Sequence, residues 1–134
     1  MEEKLLRDLK ISMEETDNLK TEWIYFDLIG ILKRYTLDFD MSKESVIYAC
    51  TIIMDMLKKD EELFEDYILT IEPMKGEGVS IEIDMGDDLE LEIEVYEDYC
   101  NVAIYEDIEV LDKTSGIDHT EVVELAMSYM NKWN

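Results

Sequence analysis

The chain has 134 residues, 47% of them hydrophobic, and carries 35 Asp and Glu against 12 Lys and Arg, for a net charge of -23. That length suits one domain, spanning 1-134, which can bury about two-thirds of its unfolded surface, and the aliphatic content argues against a disordered chain in spite of the charge. The excess of acid repels nucleic-acid phosphates and anionic lipid, so the expected partners are basic protein surfaces or metal cations, with no direct nucleic-acid and no membrane binding.

The opening stretch MEEKLLRDLKISMEE places acids and bases every few residues. It lacks the apolar run of a secretory signal, so export by that route is not indicated. Leu5, Leu6, Leu9 and Met13 fall at helical spacing and predict an amphipathic helix from Glu2 to Glu15. Thr16, Asp17 and Asn18 break the pattern and offer an N-cap. Trp23, Ile24, Phe26, Leu28, Ile31, Leu32 and Tyr35 then suit a second, more deeply buried helix. The apolar stretch from Trp23 to Leu32 contains Asp27 and Gly30 and is far short of the roughly 20 residues that cross a bilayer.

After a connector from Leu37 to Met41, Ser42 can cap a third helix whose apolar face is Val46, Ile47, Cys50, Ile53, Met54 and Leu57. Lys58 and Lys59 favour its C-terminal dipole, and Asp60 to Asp66 reads as a charged turn or short extension. From Tyr67 the period changes to two. Leu69 and Ile71 mark a first strand ending near Pro73, and Lys75 to Gly78 form a turn.

Val79, Ile81, Ile83 and Met85 alternate with polar residues, as do Leu89, Leu91, Ile93 and Val95. Apolar faces must coincide across a hairpin, which favours a three-residue Gly86-Asp87-Asp88 loop with Met85 opposite Leu89 and Ile81 opposite Ile93. By the same rule a two-residue Glu97-Asp98 loop sets Val95 opposite Cys100. A short edge strand at Ile108 to Leu111 ends before Ser115-Gly116. Asp118 and Glu121 then resemble a capping box for a last helix that turns Val123, Ala126, Met127, Met130 and Trp133 inward. The expected fold is α+β: N-terminal helices, an antiparallel meander of about four strands, and a C-terminal helix on one sheet face.

Residues 76 to 112 contain fourteen acids and no Lys, Arg or His. The predicted register sets Glu82 opposite Glu92 and Asp84 opposite Glu90, pairs that destabilise a sheet unless something cationic meets them. Glu82, Asp84, Glu90, Glu92 and Glu94, edged by Tyr96, Tyr99 and Tyr105, are therefore the candidate partner-binding face, with tyrosines beside charge being common in interface hot spots. In charge density this surface resembles nucleic-acid-mimic proteins, though alternate strand residues about 6.6 to 6.8 Å apart do not reproduce the phosphate spacing of one strand. The bland alternative is a solvated face kept polar for solubility.

Other chemistry has little support in the sequence. Asp38-x-Asp40-x-Ser42 begins like a calcium loop, but Lys43 stands where glycine is needed and Ala49 where the closing Glu belongs. His119 reads as a lone surface histidine. Cys50 and Cys100 read as reduced core residues of a cytoplasmic protein, and the methionines, among them Met54, Met56, Met127 and Met130, as core packing. No cofactor is expected, and the chain reads as a non-enzymatic binder. Its acidic face would occupy the basic nucleic-acid site of a nuclease or a similar defence effector, as an inhibitor or immunity protein does. Assembly through apolar helix surface, and a carboxylate metal site, are the alternatives.

Overall fold

Ser42 shows how locally the fold is specified: its hydroxyl oxygen accepts the Ser45 amide at 3.1 Å and starts α3 (Lys43–Lys59). All six residues of the expected apolar face of α3 are buried. Asn18 plays the same part for α2 (Leu19–Asp38), its Oδ1 accepting the Thr21 amide at 3.0 Å, while α1 (Glu2–Glu15) buries Leu5 and Leu9 against α2. The computed structural model describes residues 1–38 and 41–133, with side chains described outside 35–40. The expected burial of Tyr35 and the Asp38 and Asp40 positions of the calcium-loop comparison lie outside these.

Five strands follow: β1 (Ile68–Pro73), β2 (Val79–Gly86), β3 (Leu89–Val95), β4 (Cys100–Glu106) and β5 (Glu109–Ile117). They form one antiparallel sheet in sequence order, so β1 and β5 are its edges. The last helix, α4 (Val122–Trp133), packs with α3 on the same face of the sheet. The architecture is the expected α+β arrangement, with five strands where about four were expected. Its core joins Leu9, Leu28, Ile53, Met56 and Phe64 to the inner sheet residues Ile81, Ile83, Leu91, Ile93 and Ile104, all essentially solvent-free. Met54, Met56 and Met130 are buried in it and Met127 packs against it.

Several local expectations need correction. Ile81 does face Ile93 and Val95 does face Cys100, but Gly86 rather than Met85 stands opposite Leu89. The turn is the dipeptide Asp87-Asp88, with both residues and Gly86 at positive φ, and a bulge between Asp84 and Gly86 absorbs the extra residue. β5 runs on to Ile117 because Gly116, at φ +70°, bends within the strand instead of ending it. Asp118 makes no capping box: its Oδ1 accepts the Thr120 amide at 2.9 Å, a local Asx turn, and the Glu121 carbonyl receives the Leu125 amide.

The largest correction concerns aromatics. Trp23 and Phe26 are 60% and 59% exposed, and Trp133 is 36% exposed with the Lys132 ammonium 5.1 Å from its ring centroid. α2 buries Ile24, Leu28 and Leu32 as expected, and adds Tyr25 and Ile29 in place of Trp23 and Phe26. That helix is apolar on two sides, so periodicity could not identify the inner one.

Candidate acidic interface

The helices leave the second sheet face open, and strand alternation sends the predicted carboxylates there. Across the sheet, Thr70, Glu82, Glu92, Ala103 and Lys113 form one row in register. Ile68, Asp84, Glu90 and Tyr105 form the next, and Glu72, Ser80, Glu94 and Asn101 the third. The like-charge pairs Glu82–Glu92 and Asp84–Glu90 are thus real neighbours, on strands about 4.8 Å apart.

Glu82, Glu90, Glu92 and Glu94 are half-buried by one another and by the tyrosines, whereas Asp84 is exposed. Burial pushes the Glu90 carboxyl above the ordinary glutamate range, with Glu82 and Asp84 adding to the shift. Glu92 is raised in the same way, chiefly by burial and then by Glu94, Glu82 and Glu90. Glu94 and Asp84 each accept a hydrogen bond from an amide of the chain. Asn101 Nδ2–H donates to Glu94 Oε1 at 3.0 Å while its Oδ1 accepts the Gly116 amide, and the Gly86 amide donates to Asp84 Oδ1 at 2.9 Å.

The three tyrosines join this face as expected. Tyr105 lies opposite Glu90, and its phenol is raised by burial and by Glu92, Glu94 and Glu90. Tyr96 stacks on Tyr99 with ring centroids 4.9 Å apart. Burial raises the Tyr96 phenol too, with Glu94 next in effect. The Tyr96 ring lies against Gly78, where no side chain intervenes.

Other parts of this face were missed from the sequence. Strand parity adds Glu72 and Asn101, and Lys113, one residue past the cation-free segment, enters the Glu82–Glu92 row beyond Ala103. His119 is no free surface residue: it stacks on Tyr48 at 3.7 Å between centroids, and its Nε2–H donates to the Tyr96 carbonyl at 2.6 Å. It therefore holds the β3–β4 turn against α3.

Cys50 and Cys100 are buried free thiols, and burial pushes both up to about 12. Among the described residues no three His, Cys, Asp or Glu gather so as to hold a metal ion, and no helix is long and apolar enough to cross a membrane. Comparison with protein families, with curated proteins and with solved structures finds no match to this chain.

Proposed function

We propose that this protein is a non-enzymatic binder whose open, acidic sheet face seats on a basic surface of a nucleic-acid-binding protein, such as a nuclease or defence effector, and blocks it as an inhibitor or immunity protein would. The observation that carries this reading is the concentration of Glu82, Asp84, Glu90, Glu92 and Glu94 on adjacent strands, with Glu90 and Glu92 driven above their ordinary range. Solubility is served as well by interspersed Lys and Glu, without opposed like charges. A basic partner would relieve that repulsion on contact, while Tyr96, Tyr99 and Tyr105 supply area that orders at low entropic cost. The carboxylate grid offers charge density rather than the spacing of a phosphate strand, so the fit is to a broad cationic patch.

The test is capture from a source-cell lysate, eluted through a salt gradient, with wild type and with a Glu82→Lys/Glu92→Lys/Glu94→Lys variant shown to be folded. Basic nucleic-acid-binding proteins that elute from wild type at moderate salt, compete with DNA or RNA, and vanish with the variant support the reading. Identical retention by both proteins would overturn it. The exposed Trp23 and Phe26, in an edge-to-face pair with centroids 6.3 Å apart, favour a second reading in which assembly proceeds through apolar helix surface. Partners held by that surface stay bound at high salt.

A further inference from the structure

β1 is an edge strand whose defences, Glu72 and Pro73, are confined to its C-terminal end. It pairs with β2 over six residues with no bulge, contains no Lys or Arg, and exposes Ile68 at 64%. Its inward residues Leu69 and Ile71 are only half-buried, whereas their neighbours Ile83 and Ile81 on β2 are fully buried. The Met74 amide donates to the Gly78 carbonyl at 2.9 Å, which by antiparallel alternation turns Pro73 toward the free edge, where its missing N–H leaves the C-terminal end of β1 without a donor. The same alternation turns the N–H and C=O groups of Leu69 and Ile71 outward, to the free edge.

Beside that edge lies a cavity of about 580 Å³ between β1 and α2, lined among others by Trp23, Phe26, Ile31 and Arg34. A strand added to β1 would thus meet two different environments. Its inward side chains would enter a mainly apolar groove whose charged lining, Lys20 and Arg34 against Asp27, is net positive and so favours apolar over cationic side chains. Its outward side chains would continue the open face beside Ile68, Thr70 and Glu72, with Glu82 and Asp84 one strand further in, about 9–10 Å from the added backbone, where the long stem of a lysine can approach them.

We infer that β1 and the α2 groove form a docking site for an extended segment of a partner protein in which apolar and basic residues alternate, added to the sheet as a sixth strand. This rests on the proposed acidic-face reading for its outward half and adds main-chain pairing and an apolar anchor to it. A second copy of this chain is a poorer occupant, because joining two β1 edges would run two acidic faces together with -23 on each chain.

The probe is a synthetic seven-residue peptide alternating Lys with Val, used with three controls: Lys alternating with Ser, Glu alternating with Val, and the Lys/Val peptide N-methylated on one edge. Expected at about 0.15 M salt are saturable binding of the Lys/Val peptide alone, a Trp23 fluorescence change in a Trp133→Phe background, and at least tenfold slower exchange of the Leu69 and Ile71 amides. Phe26→Ser, an exposed substitution, should weaken binding about tenfold or more. Equal binding of the Lys/Ser peptide, no change with Phe26→Ser, or no protection in β1 would each overturn the site, as would a salt-stable dimer broken by Phe26→Ser, which would assign the groove to a second copy. The acidic-face reading fails separately, by the lysate result with the triple Lys variant.

Discussion

Glu82 and Glu92 stand directly opposite one another on adjacent strands, with Thr70 and Ala103 as their next neighbours in the row. Neither flanking residue can neutralise them, and the one cation in the row, Lys113, is two strands from Glu92. Replacing one member by a cation converts a repulsive pair into an attractive one. Glu92→Lys should therefore stabilise the protein by about 0.5–1 kcal/mol, raising Tm by about 2–4 °C. Thermal unfolding of the single variant checks this, and an unchanged or lower Tm would mean that the pair is already relieved by solvent.

Glu90 and Glu92 both hold protons more tightly in the folded chain than ordinary glutamates do. Above the ordinary glutamate value the folded state binds more protons than the unfolded one, so stability falls as pH rises through the raised values. Asp118 acts with the opposite sign: hydrogen bonds from the Thr120 amide and hydroxyl hold its carboxyl below the ordinary range, and its contribution is lost only at still lower pH. The denaturation midpoint should consequently increase on acidification from neutrality and decline again in stronger acid. In a Glu90→Gln/Glu92→Gln variant the increase should shrink, and a midpoint that drops steadily from pH 7 downward would contradict the assignment.

How much of this was legible depended on whether a pattern had one solution. β2 and β3 alternate strictly, a single register buries both apolar faces, and the pairs Ile81–Ile93 and Glu82–Glu92 followed from sequence alone. The turn beyond them was misread because Asp87 and Asp88 adopt positive φ, a conformation expected first of Gly or Asn, and shift the extra residue into a bulge. α2 was misread for a different reason. With apolar residues on two sides, the identity of the buried side is decided by what packs there, and Trp23 gives no local sign of it. Asn101 was legible from parity once Val95 was set opposite Cys100, whereas Lys113 and the His119 contact depend on β5 joining the sheet and on the segment after it reaching Tyr48, long-range events with no counterpart in neighbouring residues.

Gly78 is kept open by the Tyr96 ring. A Cβ there would lie 2.8 Å from both Cδ1 and Cε1 of Tyr96 and 3.1 Å from the Val95 carbonyl oxygen. Gly78→Ala must displace the ring and with it the Tyr96–Tyr99 stack, at a cost of about 1–3 kcal/mol. A double-mutant cycle with Tyr96→Ala separates the causes. If the ring is the obstacle, Gly78→Ala costs much less in the Tyr96→Ala background; an undiminished cost would assign the strain to the Val95 carbonyl instead.

His119 ties the β3–β4 turn to the helical layer through one hydrogen bond and one stacked ring, and Cys100 begins β4 immediately after that turn. Both thiols are buried with pKa values pushed up to about 12, so reaction with a thiol reagent at pH 8 must proceed through opening of the fold. Cys50 lies mid-helix in α3, 3.9 Å from the Leu28 carbonyl oxygen, and its exposure requires separation of α2 from α3. Cys100 sits at the N-terminal end of β4 between Val95 and Ile117, so its exposure needs the ends of the β3–β4 and β4–β5 pairings to part, a smaller unit than two helices, with a lower opening free energy. Native-state labelling should therefore modify Cys100 before Cys50. His119→Ala, losing about 1–2 kcal/mol of turn contacts, should accelerate Cys100 by about 5–30-fold and leave Cys50 nearly unchanged. Equal acceleration at both cysteines would mean that the His119 clamp belongs to the global fold and that the turn does not open by itself.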